Sequence, residues 1–105
     1  MPTVELTEKN FDEVVSGDKP VLVDFYADWC GPCRAMSPVV DTFSEENPDI
    51  IVGKVDIEAH PGLAAKMNVS SIPVFMLFKG SAAPVYTTVG SSSLSRLTEE
   101  ISKHA

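Results

Sequence analysis

The chain has 105 residues, 44% of them hydrophobic, with eight basic against fifteen acidic side chains and a formal net charge of −7. That length fits one domain spanning residues 1–105, and the apolar content supports one core without a covalent staple. The acidic balance disfavours nucleic acid and anionic lipid as partners, and no apolar run approaches the ~20 residues that cross a bilayer. The opening MPTVELTEKNF has no basic segment followed by an apolar one, so a cytoplasmic, reducing location is expected.

Val4-Glu5-Leu6 is a strand candidate, and Thr7 can cap a helix over residues 8–16. Phe11, Val14 and Val15 share one face of that helix, and Gly17 ends it. After Pro20, residues 21–27 read VLVDFYA, nearly continuous apolar sequence broken by Asp24. Such a run suits a central strand covered on both faces, with a crossover helix to follow. Met36, Val39, Val40 and Phe43 repeat at helical spacing from residue 32 to about residue 47, with Pro38 inside as the expected kink. Residues 50–56 form the next strand, and residues 62–67 a short helix that stops near Asn68. Val74–Phe78 is another buried strand, residues 85–89 alternate as a more exposed partner, and the serines at 91–93 offer caps for a last helix bearing Leu94, Leu97 and Ile101. The order β-α-β-α-β-α-β-β-α implies parallel pairing among the early strands, a hairpin at the end, and hence a mixed sheet.

Both cysteines lie in ADWCGPCRAM, residues 27–36. A zinc site needs four ligands, and this chain has neither a second Cys pair nor two closely spaced histidines, so no metal is expected. A structural staple is equally unsuited, because the loop it closes is too short to restrict the unfolded chain much. Redox exchange fits. Cα atoms at i and i+3 of a helix lie ~5 Å apart, inside the ~4.4–6.8 Å that a disulfide accepts. Cys30 stands at the helix start, where free N–H groups and the helix dipole favour a thiolate, whereas Cys33 points back into the first turn. We therefore expect Cys30 exposed and attacking, Cys33 sheltered and resolving. Pro32 suits an early helical position, where its missing N–H is no loss.

WCGPC after VLVDFYAD, SIPVFMLF downstream and Val89-Gly90 after the last strand together resemble the thioredoxin family along essentially the whole chain. The resemblance implies a thioredoxin fold of the α/β class: a central five-stranded mixed sheet flanked by four helices. It further implies a protein-disulfide reductase, monomeric and without a bound cofactor. Its electrons would come from NADPH through a flavin-containing thioredoxin reductase, and its substrates would be disulfide-containing proteins. On this resemblance Asp24 exchanges a proton with Cys33, and Lys54 on the neighbouring strand pairs with Asp24. Trp29, Gly31, Pro32, Ile72, Pro73, Val89 and Gly90 would form the substrate surface. Pro73 opens a buried strand opposite the cysteines, and the Ile72–Pro73 bond is expected to be cis, turning the Ile72 backbone toward an extended substrate.

Besides Tyr26, a mild change from a common family tryptophan, the chain departs from the family pattern in two places: Val74 follows Pro73 where threonine is usual, and residues 79–84 lack the usual Asn-Gly turn. Both leave partner choice open. An oxidase or isomerase on the same fold, or a binding subunit without turnover, are the competing functions. Gly-Pro between the cysteines and the absence of an export signal count against the oxidase.

Overall fold

The computed structural model describes residues 3–105. Its elements are β1 (Val4–Glu5), α1 (Phe11–Val15), β2 (Val21–Tyr26), α2 (Gly31–Glu46), β3 (Ile51–Asp56), α3 (Pro61–Lys66), β4 (Val74–Phe78), β5 (Tyr86–Val89) and α4 (Leu94–His104). The five strands form one sheet in the order β1-β3-β2-β4-β5. β3 runs parallel to both β1 and β2, while β4 is antiparallel to β2 and to β5. The expected mixed sheet is present, and the apolar run of β2 sits at its centre.

Strand alternation then sorts the core into two halves. Val21, Val23 and Phe25 of β2 pack with Phe11, Val15 and Leu63 from α1 and α3. Leu22 faces the other way, onto Met36, Val40 and Phe43 of α2 and Leu97 and Ile101 of α4. Each fully buried Phe or Leu contributes about 1.5–3 kcal/mol, so the two halves together hold β2 firmly between them. By the same alternation Asp24 lies on the α2 face, two residues after Leu22. Lys54 lies on that face too, directly beside Asp24 in the β2–β3 register.

Several boundaries differ from the sequence expectation, for local reasons. The first helix begins at Phe11 because residues 7–10 form a side-chain turn instead. The Thr7 N–H donates to Asn10 Oδ1 at 2.7 Å, and Thr7 Oγ1 accepts from the Lys9 N–H at 3.2 Å. The last helix begins as expected after the serine run, with Ser93 Oγ accepting from the Arg96 N–H at 3.2 Å. α3 ends in a left-handed Asn68, φ 59°, with Val69 N–H on the Ala64 carbonyl at 2.9 Å and Asn68 N–H on that of Ala65 at 3.1 Å. These paired bonds satisfy carbonyls the helix end would otherwise leave open. α2 continues across Pro38 to Glu46.

β1 is held by more than its two-residue ladder. The Leu6 N–H donates to the Lys54 carbonyl at 2.8 Å, and the Leu6 side chain is fully buried against Gly53. A Cβ at position 53 would collide with both Cγ and Cδ1 of Leu6. Gly53→Ala should therefore lower stability by about 1–3 kcal/mol through forced displacement of Leu6 and β1. Urea denaturation of the variant checks this, and an unchanged midpoint would contradict the packing.

Candidate active site

β2 ends at Tyr26, and the chain turns through Ala27, Asp28 and Trp29 into Cys30, the cap of α2. The Cys30 N–H is fixed by the Ala27 carbonyl at 3.1 Å, and its backbone is extended, φ −86° and ψ 111°. Its sulfur occupies the place of a capping oxygen. It accepts the Cys33 N–H at 3.2 Å, one of the free donors of the helix start. Pro32 stands within the first two helical positions, where its missing N–H is harmless. Cys30 and Cys33 are joined as a disulfide with their Cα atoms 5.2 Å apart, within the span expected from helical spacing.

The two sulfurs differ less in exposure than expected. Both residues are only 5% exposed, because Ile72, Ile57 and Tyr26 pack around them with the buried Ala27. What separates the cysteines is their surroundings. Cys30 Sγ lies 3.9 Å from the Ile72 carbonyl oxygen, at the loop that leads into β4. In the disulfide that is a contact without a proton; a reduced Cys30 thiol can donate across it. Cys33 instead lines a cleft of about 220 Å³ that runs inward to Asp24, Ser37 and Lys54.

Asp24 is 2% exposed, and its Oδ1 has no hydrogen-bond partner among the described residues. Burial disfavours its charged form and lifts its pKa from 3.8 to about 7; the Lys54 charge opposes the shift and the Asp41 charge adds to it. No ion pair joins Lys54 to Asp24, contrary to the direct pairing expected from sequence. The Lys54 ammonium donates to Ser37 Oγ at 3.4 Å and stands 5.2 Å from the centroid of the Tyr26 ring. Lys54 thus acts on Asp24 through space. Ser37 and Asp41 escaped the sequence reading, although their spacing gave a signal: Cys33, Ser37 and Asp41 recur every four residues and so share one face of α2.

Of the other expected residues, Ile72 packs directly against the disulfide. The Ile72–Pro73 bond is cis, and Pro73 is buried. The Gly90 N–H donates to the Pro73 carbonyl at 2.8 Å, which ties the end of β5 to this loop. Gly90 has φ 98°, a conformation side chains resist, so glycine is required there. Trp29 is 64% exposed and Val89 60%, so neither is core. Gly31 and Pro32 are exposed as well. His60, given no role from sequence, pairs through Nδ1 with Glu8 Oε1 at 2.5 Å and links the turn after β1 to the start of α3.

The geometry has close counterparts. A family model described as Thioredoxin matches residues 2–103. The thioredoxin of Alicyclobacillus acidocaldarius is 45% identical over 89 residues, covering 84% of each chain. A bifunctional thioredoxin reductase/thioredoxin of Mycobacterium leprae is 40% identical over 102 residues, covering 95% of this chain and 22% of that one. A mutant thioredoxin from Halobacterium salinarum superposes with a TM-score of 0.88 at 34% identity, over 97% of this chain and 89% of its own.

The raised pKa of Asp24 makes stability depend on pH. Above 3.8 the unfolded chain releases this proton while the folded chain keeps it until about 7, so stability falls across that interval. The loss approaches the order of 4 kcal/mol at full ionisation. Asp24→Asn should therefore match the parent in acid and exceed it increasingly toward neutral pH. Urea midpoints measured across the interval check this, and parallel curves would contradict it. With its sheet, its capped disulfide and its buried carboxylate, this chain belongs to the thioredoxin family of dithiol–disulfide oxidoreductases, and Cys30–Cys33 is its redox-active pair.

Proposed function

We propose that the protein reduces disulfides of other proteins, with Cys30 as the attacking thiol and Cys33 as the resolving one. The observation that carries the assignment is the Cys33 N–H aimed at Cys30 Sγ at 3.2 Å. A donor in that place stabilises negative charge on Cys30, while Cys33 has only the inward cleft. The Cys30 thiolate attacks one sulfur of the substrate disulfide and expels the other as a thiolate. The mixed disulfide is then broken by Cys33 at Cys30 Sγ. That step releases the second substrate thiol and leaves two electrons with the substrate, none with the Cys30–Cys33 disulfide.

Cys33 must lose its proton for this step, and Asp24 is the acceptor. Its pKa of about 7 suits proton exchange near neutral pH. The cleft between them is roomy enough for a relaying water, which occupies only ~30 Å³. Lys54 is a positioning charge that keeps Asp24 from rising further. Trp29, Gly31, Pro32, Ile72, Pro73, Val89 and Gly90 form the contact surface for the substrate, with the Ile72 backbone available to an extended segment.

The protein works as a monomer and a single domain in the cytoplasm, with no cofactor of its own. Electrons return to Cys30–Cys33 from NADPH through a flavoprotein thioredoxin reductase, making the chain a link in electron transport. The fused Mycobacterium leprae relative supports this partnership, since by its name it joins a reductase and a thioredoxin in one polypeptide.

Brief alkylation of the reduced protein at neutral pH should label Cys30 before Cys33, as read by peptide mapping. Insulin reduction should proceed with the wild type and stop with Cys33→Ser, which should accumulate a mixed disulfide through Cys30. First labelling of Cys33, or sustained turnover by Cys33→Ser, would reverse the assignment. A reduction potential well above that of the glutathione pool would favour the oxidase instead.

A further inference from the structure

Beside the redox loop lies a feature that the exchange chemistry does not use: a trough of about 630 Å³ over the outer end of the sheet. The cross-strand pairs Val74–Val89 and Met76–Thr87 place these four side chains on one face as its floor. The helices on that face cover β4 but stop short of β5, whose Thr87 and Val89 are exposed. Asn68 and Ser71 form one wall, Ala82 and Pro84 of the β4–β5 connection the other. Val74, and Ala82 and Pro84 of the segment 79–84, the places where the sequence departs from the family's pattern here, thus fall in this lining.

We infer that the trough seats an extended, uncharged and largely apolar segment of the substrate protein, adjoining its reactive cysteine. The inference rests on the disulfide exchange described above and adds a determinant of which substrates are preferred. Continuity carries it. Val74 directly follows Pro73, and Gly90, directly after Val89, is bonded to the Pro73 carbonyl. The mouth of the trough therefore opens at the loop whose Ile72 carbonyl touches Cys30 Sγ. A polypeptide with its sulfur on Cys30 can leave along β5. The four residues of β5 span about 13 Å at ~3.3 Å each, room for an equal length of extended chain.

Charge decides the kind of segment. The protein is acidic overall, yet among the described residues the only charged one lining the trough is Lys66, and its ammonium pairs at the surface with Asp12 Oδ1 at 3.3 Å. A carboxylate or ammonium entering the trough would give up part of its water for neutral partners only, the Asn68 amide and the hydroxyls of Ser70, Ser71 and Thr87, and for a lysine already paired at the surface. Apolar side chains lose nothing there and gain the floor of Val74, Met76 and Val89.

The test uses the reduced full chain and peptides bearing one cysteine as a mixed disulfide with glutathione. Each peptide carries a four-residue extension of alternating alanine and valine, of glycine and serine, or of glutamate and serine, before or after the cysteine. Release of peptide thiol is followed by quenched-flow chromatography. On one side of the cysteine the alanine–valine peptide should react about tenfold faster than the glycine–serine one, the discrimination that one or two apolar groups supply. Thr87→Glu and Ala82→Glu, both at exposed positions, should erase that advantage while leaving the glycine–serine rate unchanged. Equal rates for all extensions would overturn the trough's role but not the exchange chemistry; no reduction of any peptide would overturn both. Self-association in sedimentation, abolished by Thr87→Glu, would show that a second copy occupies the trough and would also overturn the inference.

Discussion

The redox end of this fold depends on one unfavourable burial: a carboxylate on the central strand, 2% exposed and with one oxygen unpartnered among the described residues. Leu22, two residues earlier on the same face, shows what that position would normally hold. An apolar side chain at 24 would extend the core without desolvating a charge. What tolerates Asp24 is β2 itself, hydrogen-bonded to β3 on one edge and to β4 on the other and packed on both faces. The strand cannot slip to relieve the carboxylate, because a one-residue shift would turn every apolar side chain to the wrong face. The stability of the core thus holds in place a group that lowers it.

How much of this was legible in sequence follows from where the information lies. β2 and β4 could be read because their apolar runs exceed what any exposed strand would carry, and Asp24 stood out against that run. The neighbour of β1 could not be read. A two-residue strand has no period, and its place beside β3 is fixed by Leu6 filling the space over Gly53, a contact between distant segments. The same limit explains Lys54. Register put it beside Asp24, but a lysine stem is long, and Ser37 and the Tyr26 ring lie within its reach. Cys30 was expected to be exposed because helix starts usually are; Ile72, brought from the far side of the chain, covers it.

The helix start at Cys30 unites structure and chemistry in one atom. Helices begin with a side-chain acceptor for their free N–H groups, and oxygen usually supplies it. Here a sulfur does, so the donor that caps α2 is also one that favours negative charge on a reduced Cys30, the proposed attacking thiol. In the disulfide the Cys33 N–H already points at Cys30 Sγ, the sulfur proposed to acquire the charge.

The remaining wall of the site is supplied by the far edge of the sheet. β5 is short, paired along one side only, and packed mainly through Tyr86 onto the α4 side. Its end is nonetheless fixed, since the Gly90 N–H is spent on the Pro73 carbonyl and not on a strand neighbour. Gly90 also carries a positive φ, so a residue with a side chain there would strain the turn that follows β5. The consequence reaches both halves of the proposed substrate surface. Pro73 and Ile72 stand against the cysteines, while Val89 and Thr87 look out over the open face of β5. The β4–β5 ladder and this backbone hydrogen bond together keep the two surfaces in register, and the proposed part of the edge strand in substrate choice rests on that arrangement.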